Sequence, residues 1–170
     1  GAGTLTANWT PIKYNIKYEL DGGVLSTTNP TEYTVETETF TLNNPTKEGY
    51  IFKGWSTSLT STSSYNATMK VEKGSTGDKE FRAVWQIITY NISYNLNGGT
   101  LTNVSNPTSY NITTETFTLK NPTRKGYTFK GWTGSNGNTA QTSVSIAKGS
   151  MENKSYTANW TPIKYNIKYE

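Results

Sequence analysis

The chain has 170 residues, 16 basic and 12 acidic side chains, a formal charge of +4, and neither His nor Cys. Ser-His-Asp and Cys-His catalysis are thereby excluded, a zinc site would have to rest on carboxylates alone, and no disulfide framework can exist. The thinly spread charge lacks the clustered basic footprint that nucleic acid demands, and neither an apolar run long enough to cross a bilayer nor a charged-then-apolar leader is present.

Thr, Asn, Ser and Gly dominate, and the 12 Tyr and 5 Trp favour pleated, half-buried strands over helices. The sequence also repeats itself. Thr6 to Glu19 (TANWTPIKYNIKYE) returns letter for letter at Thr157 to Glu170. YNIKYELDGG at Tyr14 reappears as YNISYNLNGG at Tyr90, and NPTKEGYIFKGW at Asn44 as NPTRKGYTFKGW at Asn121. The period is about 75 residues, the mark of an array whose unit is one module. Residues 1–13 read as the tail of a preceding repeat, 14–85 and 90–160 as two full modules, and 161–170 as the first strand of a following repeat.

Taken in chain order, each module opens on a strand in which Tyr14, Ile16, Tyr18 and Leu20 (Tyr90, Ile92, Tyr94 and Leu96) alternate with polar residues, so one face enters the core. Gly22 and Gly23, like Gly98 and Gly99, close it in a tight turn or bulge that calls for positive φ. A variable polar stretch then reaches Asn-Pro at Pro30 or Pro107, and TETFTL predicts a second strand with Phe40 and Leu42 (Phe117 and Leu119) on one side. Pro45 and Gly49, with Pro122 and Gly126, punctuate the chain before Tyr50, Phe52 and Gly54-Trp55, matched by Tyr127, Phe129 and Gly131-Trp132. The segments 56–68 and 133–143 differ between copies and read as polar surface loops. An extended piece around Val71, or Val144 and Ile146, leads to a Lys-Gly-Ser turn. The last strand then places Phe81, Ala83 and Trp85, or Tyr156, Ala158 and Trp160, on one face. Only four residues separate the closing Trp from the next opening Tyr, a link short enough to favour a rod over loosely strung beads.

This succession of Tyr-rich strand, Asn/Asp-Gly-Gly, NPT-x-x-Gly-Tyr-x-Phe-x-Gly-Trp, Lys-Gly-Ser and Tyr-x-Ala-x-Trp resembles the Listeria–Bacteroides repeat, the family that includes the B-repeats of internalins. The resemblance spans nearly all of both modules. It implies a mainly β fold of small β-grasp-like α+β modules with little helix, set in tandem in large secreted or wall-attached bacterial proteins as spacers or auxiliary adhesive segments. The Ser/Thr/Asn-rich segment after Gly-Trp shows no helix pattern, which departs from the grasp plan.

Acidic chemistry is sparse. Glu19 and Asp21 become Asn95 and Asn97 in the second copy, as suits a turn that Asp and Asn serve equally rather than a catalytic pair. Calcium could draw on Asp21 or Asp78, but no EF-hand spacing appears, and no cofactor motif is present. An isopeptide crosslink would need a buried Lys; Lys17, Lys53 and Lys130 fall on polar faces. Asn66-Ala-Thr and Asn111-Ile-Thr are expected by chance in so Asn/Thr-rich a chain.

Glycan binding would use exposed aromatic faces, with Trp55, Trp132, Tyr65 and Tyr110 as candidates. Both Trp residues follow Gly at matched positions and are better read as core. Tyr65, without an aligned twin, is the candidate ligand contact. The expected core is Trp55, Trp85, Tyr18 and Phe52 in the first module, and Trp132, Trp160, Tyr94 and Phe129 in the second. The expected partners are neighbouring repeats of the same chain and a host protein or glycan, outside the cell or on its surface. The opening strand at Tyr165 to Glu170 is expected to fray or to pair with a neighbouring edge.

Overall fold

The alternation that begins each module becomes strand pairing in the computed structural model, which describes residues 1–170 and contains no helix. Two compact units result, Gly1–Gln86 and Ile87–Glu170.

In the first unit the strands are β1 (Tyr14–Glu19), β2 (Glu32–Tyr33), β3 (Phe40–Thr41), β4 (Tyr50–Ser56), β5 (Lys70–Val71) and β6 (Lys79–Ile87). The main sheet has the order β2-β1-β6-β4. First and last strands lie side by side at its centre and run parallel, Ile16 opposite Lys79 and Glu19 opposite Arg82. A parallel pair needs a long crossover, and β2 to β5 together supply it. β3 and β5 form a separate two-stranded ribbon with Phe40 opposite Val71. Ile16, Tyr33, Leu42, Trp55, Val71, Phe81 and Ala83 form the core, with Tyr18, Phe52 and Trp85 packed against it.

The second unit repeats this plan with one addition. Its strands are β7 (Tyr90–Asn95), β8 (Ser109–Tyr110), β9 (Phe117–Thr118), β10 (Tyr127–Gly134), β11 (Gly137–Gln141), β12 (Ser145–Ile146) and β13 (Lys154–Pro162), and the sheet order is β11-β10-β13-β7-β8. The segment 133–143, read from sequence as a surface loop, instead makes a hairpin: Ser135 and Asn136 turn the chain, and β11 pairs back on β10 with Trp132 opposite Gln141. In the first unit the matching contact is a single bridge between Trp55 and Asn66. The short strands β2 and β8 also lie in stretches that looked merely polar and variable.

A bulge explains how Phe and Trp three residues apart reach one core. The register between β10 and β13 shifts between Phe129 and Gly131, so the extra residue turns both rings inward. They meet edge to face at 5.5 Å, as Phe52 and Trp55 do at 5.5 Å. Gly131 sits at φ 127°, and a Cβ there would lie 2.5 Å from the Gln141 nitrogen. Only Gly fits.

Thr6 to Glu19 and Thr157 to Glu170 are identical in sequence and opposite in structure. In the first copy Tyr14–Glu19 is β1, while residues 1–13 form no strand and Trp9 is 89% exposed. In the second copy the Thr157–Trp160 portion lies within β13, whereas Tyr165–Glu170 forms no strand and is exposed. Of the two outcomes expected for Tyr165–Glu170, fraying or pairing, the structure has the unpaired one. β1 finds its partners in β2 and β6, which follow it in the chain.

Candidate functional site

Each module first builds a rigid centre. Trp55 and Trp132 are 0% exposed, and their indole Nε1 groups donate to Asn44 Oδ1 at 3.1 Å and Asn121 Oδ1 at 3.0 Å. The Asn of each NPT motif thus satisfies the one polar atom of a buried ring. Trp85 and Trp160 are half-buried and donate to Leu20 O at 3.0 Å and Leu96 O at 3.1 Å. Tyr18 and Tyr94 hydroxyls donate to Pro30 O at 2.8 Å and Pro107 O at 2.7 Å. Burial pushes both phenols up to about 12, with the nearby Tyr156 a smaller influence on Tyr94.

The glycines divide by role, which corrects the expectation that all four serve positive φ. Gly22 and Gly98 do, at φ 86° and 87°, each preceded by a left-handed residue, Asp21 at 49° and Asn97 at 50°. Gly23 and Gly99 are needed for space: a Cβ would lie 2.5 Å from the Trp85 ring and 2.3 Å from that of Trp160.

Tyr110 is not a ligand contact. It is 4% exposed, because β8 turns it inward to meet Tyr90 at 5.5 Å and its hydroxyl donates to Glu152 O at 2.5 Å. Tyr33 fills the same place in the first module and donates to Gly77 O at 2.5 Å. Sequence reasoning also missed Asn29 and Asn106, both buried. Each side-chain amide clamps the backbone of a distant residue: Asn29 bonds both N and O of Asn43, and Asn106 both N and O of Lys120. The signal was the Asn-Pro pair surviving in both copies within otherwise divergent segments.

The two acids weighed as calcium ligands are committed to structure. Asp21 pairs with Arg82 at 2.6 Å and Asp78 accepts the Asn15 backbone N–H at 2.8 Å, a place taken by Asn153 in the second copy. No group of three or more His, Cys, Asp or Glu is placed to hold a metal ion. Lys17 pairs with Glu19 at 3.2 Å, Lys130 is exposed and Lys53 half-exposed. Asn66 and Asn111 bond the backbone N–H two residues on, at 3.0 and 2.9 Å, as turn formers do.

Tyr65 does stand at a concavity. It is 45% exposed and shares a hollow with Trp55, Ser64 and Asn66. Thr57 and Met69 line both this hollow and a neighbouring cleft of about 360 Å³ in which Val71 and Phe81 also take part. The first module therefore carries two adjoining indentations, one with an aromatic ring at its lip and neutral hydroxyl and amide groups beside it, the other with apolar side chains rimmed by Lys70, Glu72, Lys79 and Glu80. Such a surface can stack a flat apolar face or cover an extended segment.

Fold and site together define a tandem-repeat β protein whose modules are closed by aromatic cores. The profile of the Listeria-Bacteroides repeat domain matches residues 14–84 and 90–161, and the chain belongs to that family. A protein of Evansella cellulosilytica described as a Gly-rich membrane protein is 31% identical over 131 residues, covering 76% of this chain and 14% of its own length. The chain thus spans a small part of that relative. No solved structure matches the chain. No helix is long and apolar enough to cross a membrane.

Proposed function

We propose that these modules form a non-enzymatic stalk or spacer segment of a bacterial cell-surface or secreted protein, with neighbouring repeats of the same chain as their main partners. The supporting observation is that each module closes around its own aromatic core, while β6 ends at Ile87 and β7 begins at Tyr90. So short a connection limits the bending between units and transmits orientation along an array. The membrane assignment in the relative's description and the family's typical setting agree with a surface location. Spin labels placed in the two modules test the reading by the spread of their separation. A narrow distance distribution is expected, and a broad one typical of a flexible tether would overturn the spacer role.

A second reading rests on Tyr65. Its half-exposed ring beside neutral hydroxyls makes the first module an auxiliary adhesive unit for a host protein or glycan. Saturable binding in a panel of matrix proteins and glycans, lost on Tyr65→Ala, is the expected result; uniform absence would leave the spacer alone.

A further inference from the structure

The two modules differ most where the chain leaves the Gly-Trp strand. In the second, β10 continues to Gly134, which lies opposite Tyr156, and the hairpin turn then bonds the start of β13: Ser135 N donates to Ser155 O at 2.9 Å, and Ser155 N to Ser135 Oγ at 2.8 Å. In the first, β4 stops at Ser56 and the following loop is drawn aside, its Leu59 carbonyl held by Arg82 Nη1 at 2.6 Å. No backbone hydrogen bond from that loop reaches Glu80, the counterpart of Ser155. The first residues of β6 therefore keep β1 on one side and face the 360 Å³ cleft on the other, above Met69, Val71 and Phe81.

An open strand edge beside an apolar floor is the arrangement that accepts an added strand. We infer that this cleft binds an extended, uncharged polypeptide segment by strand addition to Lys79–Phe81, with Tyr65 covering the segment where it leaves the cleft. The inference rests on the adhesive reading of Tyr65 and gives it a ligand class. Polypeptide rather than sugar is favoured because the second module fills the corresponding edge with polypeptide of its own. That occupant, the end of β10 at Gly134 with the turn residue Ser135, carries no charge, and β11 lies beyond it on β10. The rim agrees: Lys70 and Lys79 are balanced by Glu72 and Glu80, so no net field selects a charged ligand. Backbone groups spaced about 3.3 Å per residue along β6 match an extended chain.

The probe is a synthetic peptide with the sequence of Thr133 to Thr142, titrated into the two-module chain and followed by backbone amide shifts. Saturable shifts at Lys79, Glu80 and Phe81 are expected, with affinity lowered about tenfold by Tyr65→Ala. A graft replacing Ser56–Tyr65 with Thr133–Ala140 should fold, since the second module accommodates that hairpin, and should lose the binding because it fills its own edge. Failure of the peptide to shift those amides at millimolar concentration, or undiminished binding by the graft, would overturn the inference. Glycan binding that moves Tyr65 but not β6 would overturn strand addition while preserving adhesion; absence of both would remove the adhesive reading as well.

Discussion

At the scale of single residues, the two copies allow a substitution to be judged against its twin. Trp132→Ala removes a ring with no exposed surface and orphans the Asn121 carbonyl that accepts from it. The expected loss is roughly 3–5 kcal/mol, read from a denaturant melt; a loss below about 1 kcal/mol would place the ring at the surface. Gly99→Ala sets a methyl 2.3 Å from the Trp160 ring, an overpacking worth about 1–3 kcal/mol. Gly149→Ala meets nothing within 4 Å and carries only the strain of φ 89°, about 1–2 kcal/mol. Moving Trp160→Leu into the Gly99→Ala background should recover part of the first loss and none of the second, which separates crowding from backbone strain. The phenols add a pH dependence. Tyr18 and Tyr94 are raised from 10.0 to about 12 in the folded chain, so the neutral form is favoured by folding. Their contribution is complete below pH 10 and is lost as pH rises through about 12. Phenolate absorbance should therefore show a late-titrating class that shrinks in Tyr18→Phe, Tyr94→Phe, the remainder coming from Tyr110 and Tyr156, which burial also raises; full titration at the ordinary tyrosine value would contradict the burial.

At the scale of elements, legibility followed periodicity. β1, β7, β6 and β13 were readable because six or more alternating residues state which face is buried. The two-residue strands β2 and β8 give periodicity nothing to act on, and Tyr110 was mistaken for an exposed aromatic for that reason. The hairpin β10–β11 was missed because GSNGNTAQ has the composition of a loop; its strand character comes from pairing with the far end of the Gly-Trp strand. Tyr65 was legible only as an aromatic without a counterpart, and the cleft beside it could not be read at all, since it arises from where β4 stops. The repeated YNIKYE makes the same point in one chain. Identical residues form β1 at Tyr14–Glu19 and no strand at Tyr165–Glu170, so strand formation there is decided by available partners rather than by local preference. Hydrogen exchange should show Ile16, Lys17 and Tyr18 amides protected to near the global stability, and those of Ile167, Lys168 and Tyr169 exchanging almost freely. Equal protection of the two would show that Tyr165–Glu170 has found an edge of its own.

At the scale of the whole molecule, the question is whether the modules fold as one body or in series. The core of the first, from Ile16 to Ala83, and that of the second, from Ile92 to Ala158, share no residue. Each buries its own Trp, and each clamps its own crossover through a buried Asn, Asn29 or Asn106. Stability in such an array is a sum of module terms and nearest-neighbour terms, and here the module terms are supplied within each unit. A fragment of residues 87–170 should therefore unfold cooperatively by itself. Its midpoint should lie within about 4–8 °C of that module's transition in the two-module chain, the shift that corresponds to roughly 1 kcal/mol for a domain of this size. A larger drop would assign a substantial part of the stability to the neighbour, and the connection through Ile88 and Thr89 would then be a folded joint rather than a short tie. With small coupling the modules resist force one at a time, so pulling on the chain should give two separate unfolding events of similar height. A single merged event would mean that the array yields as one body, and a spacer of that kind would lose its whole length at once.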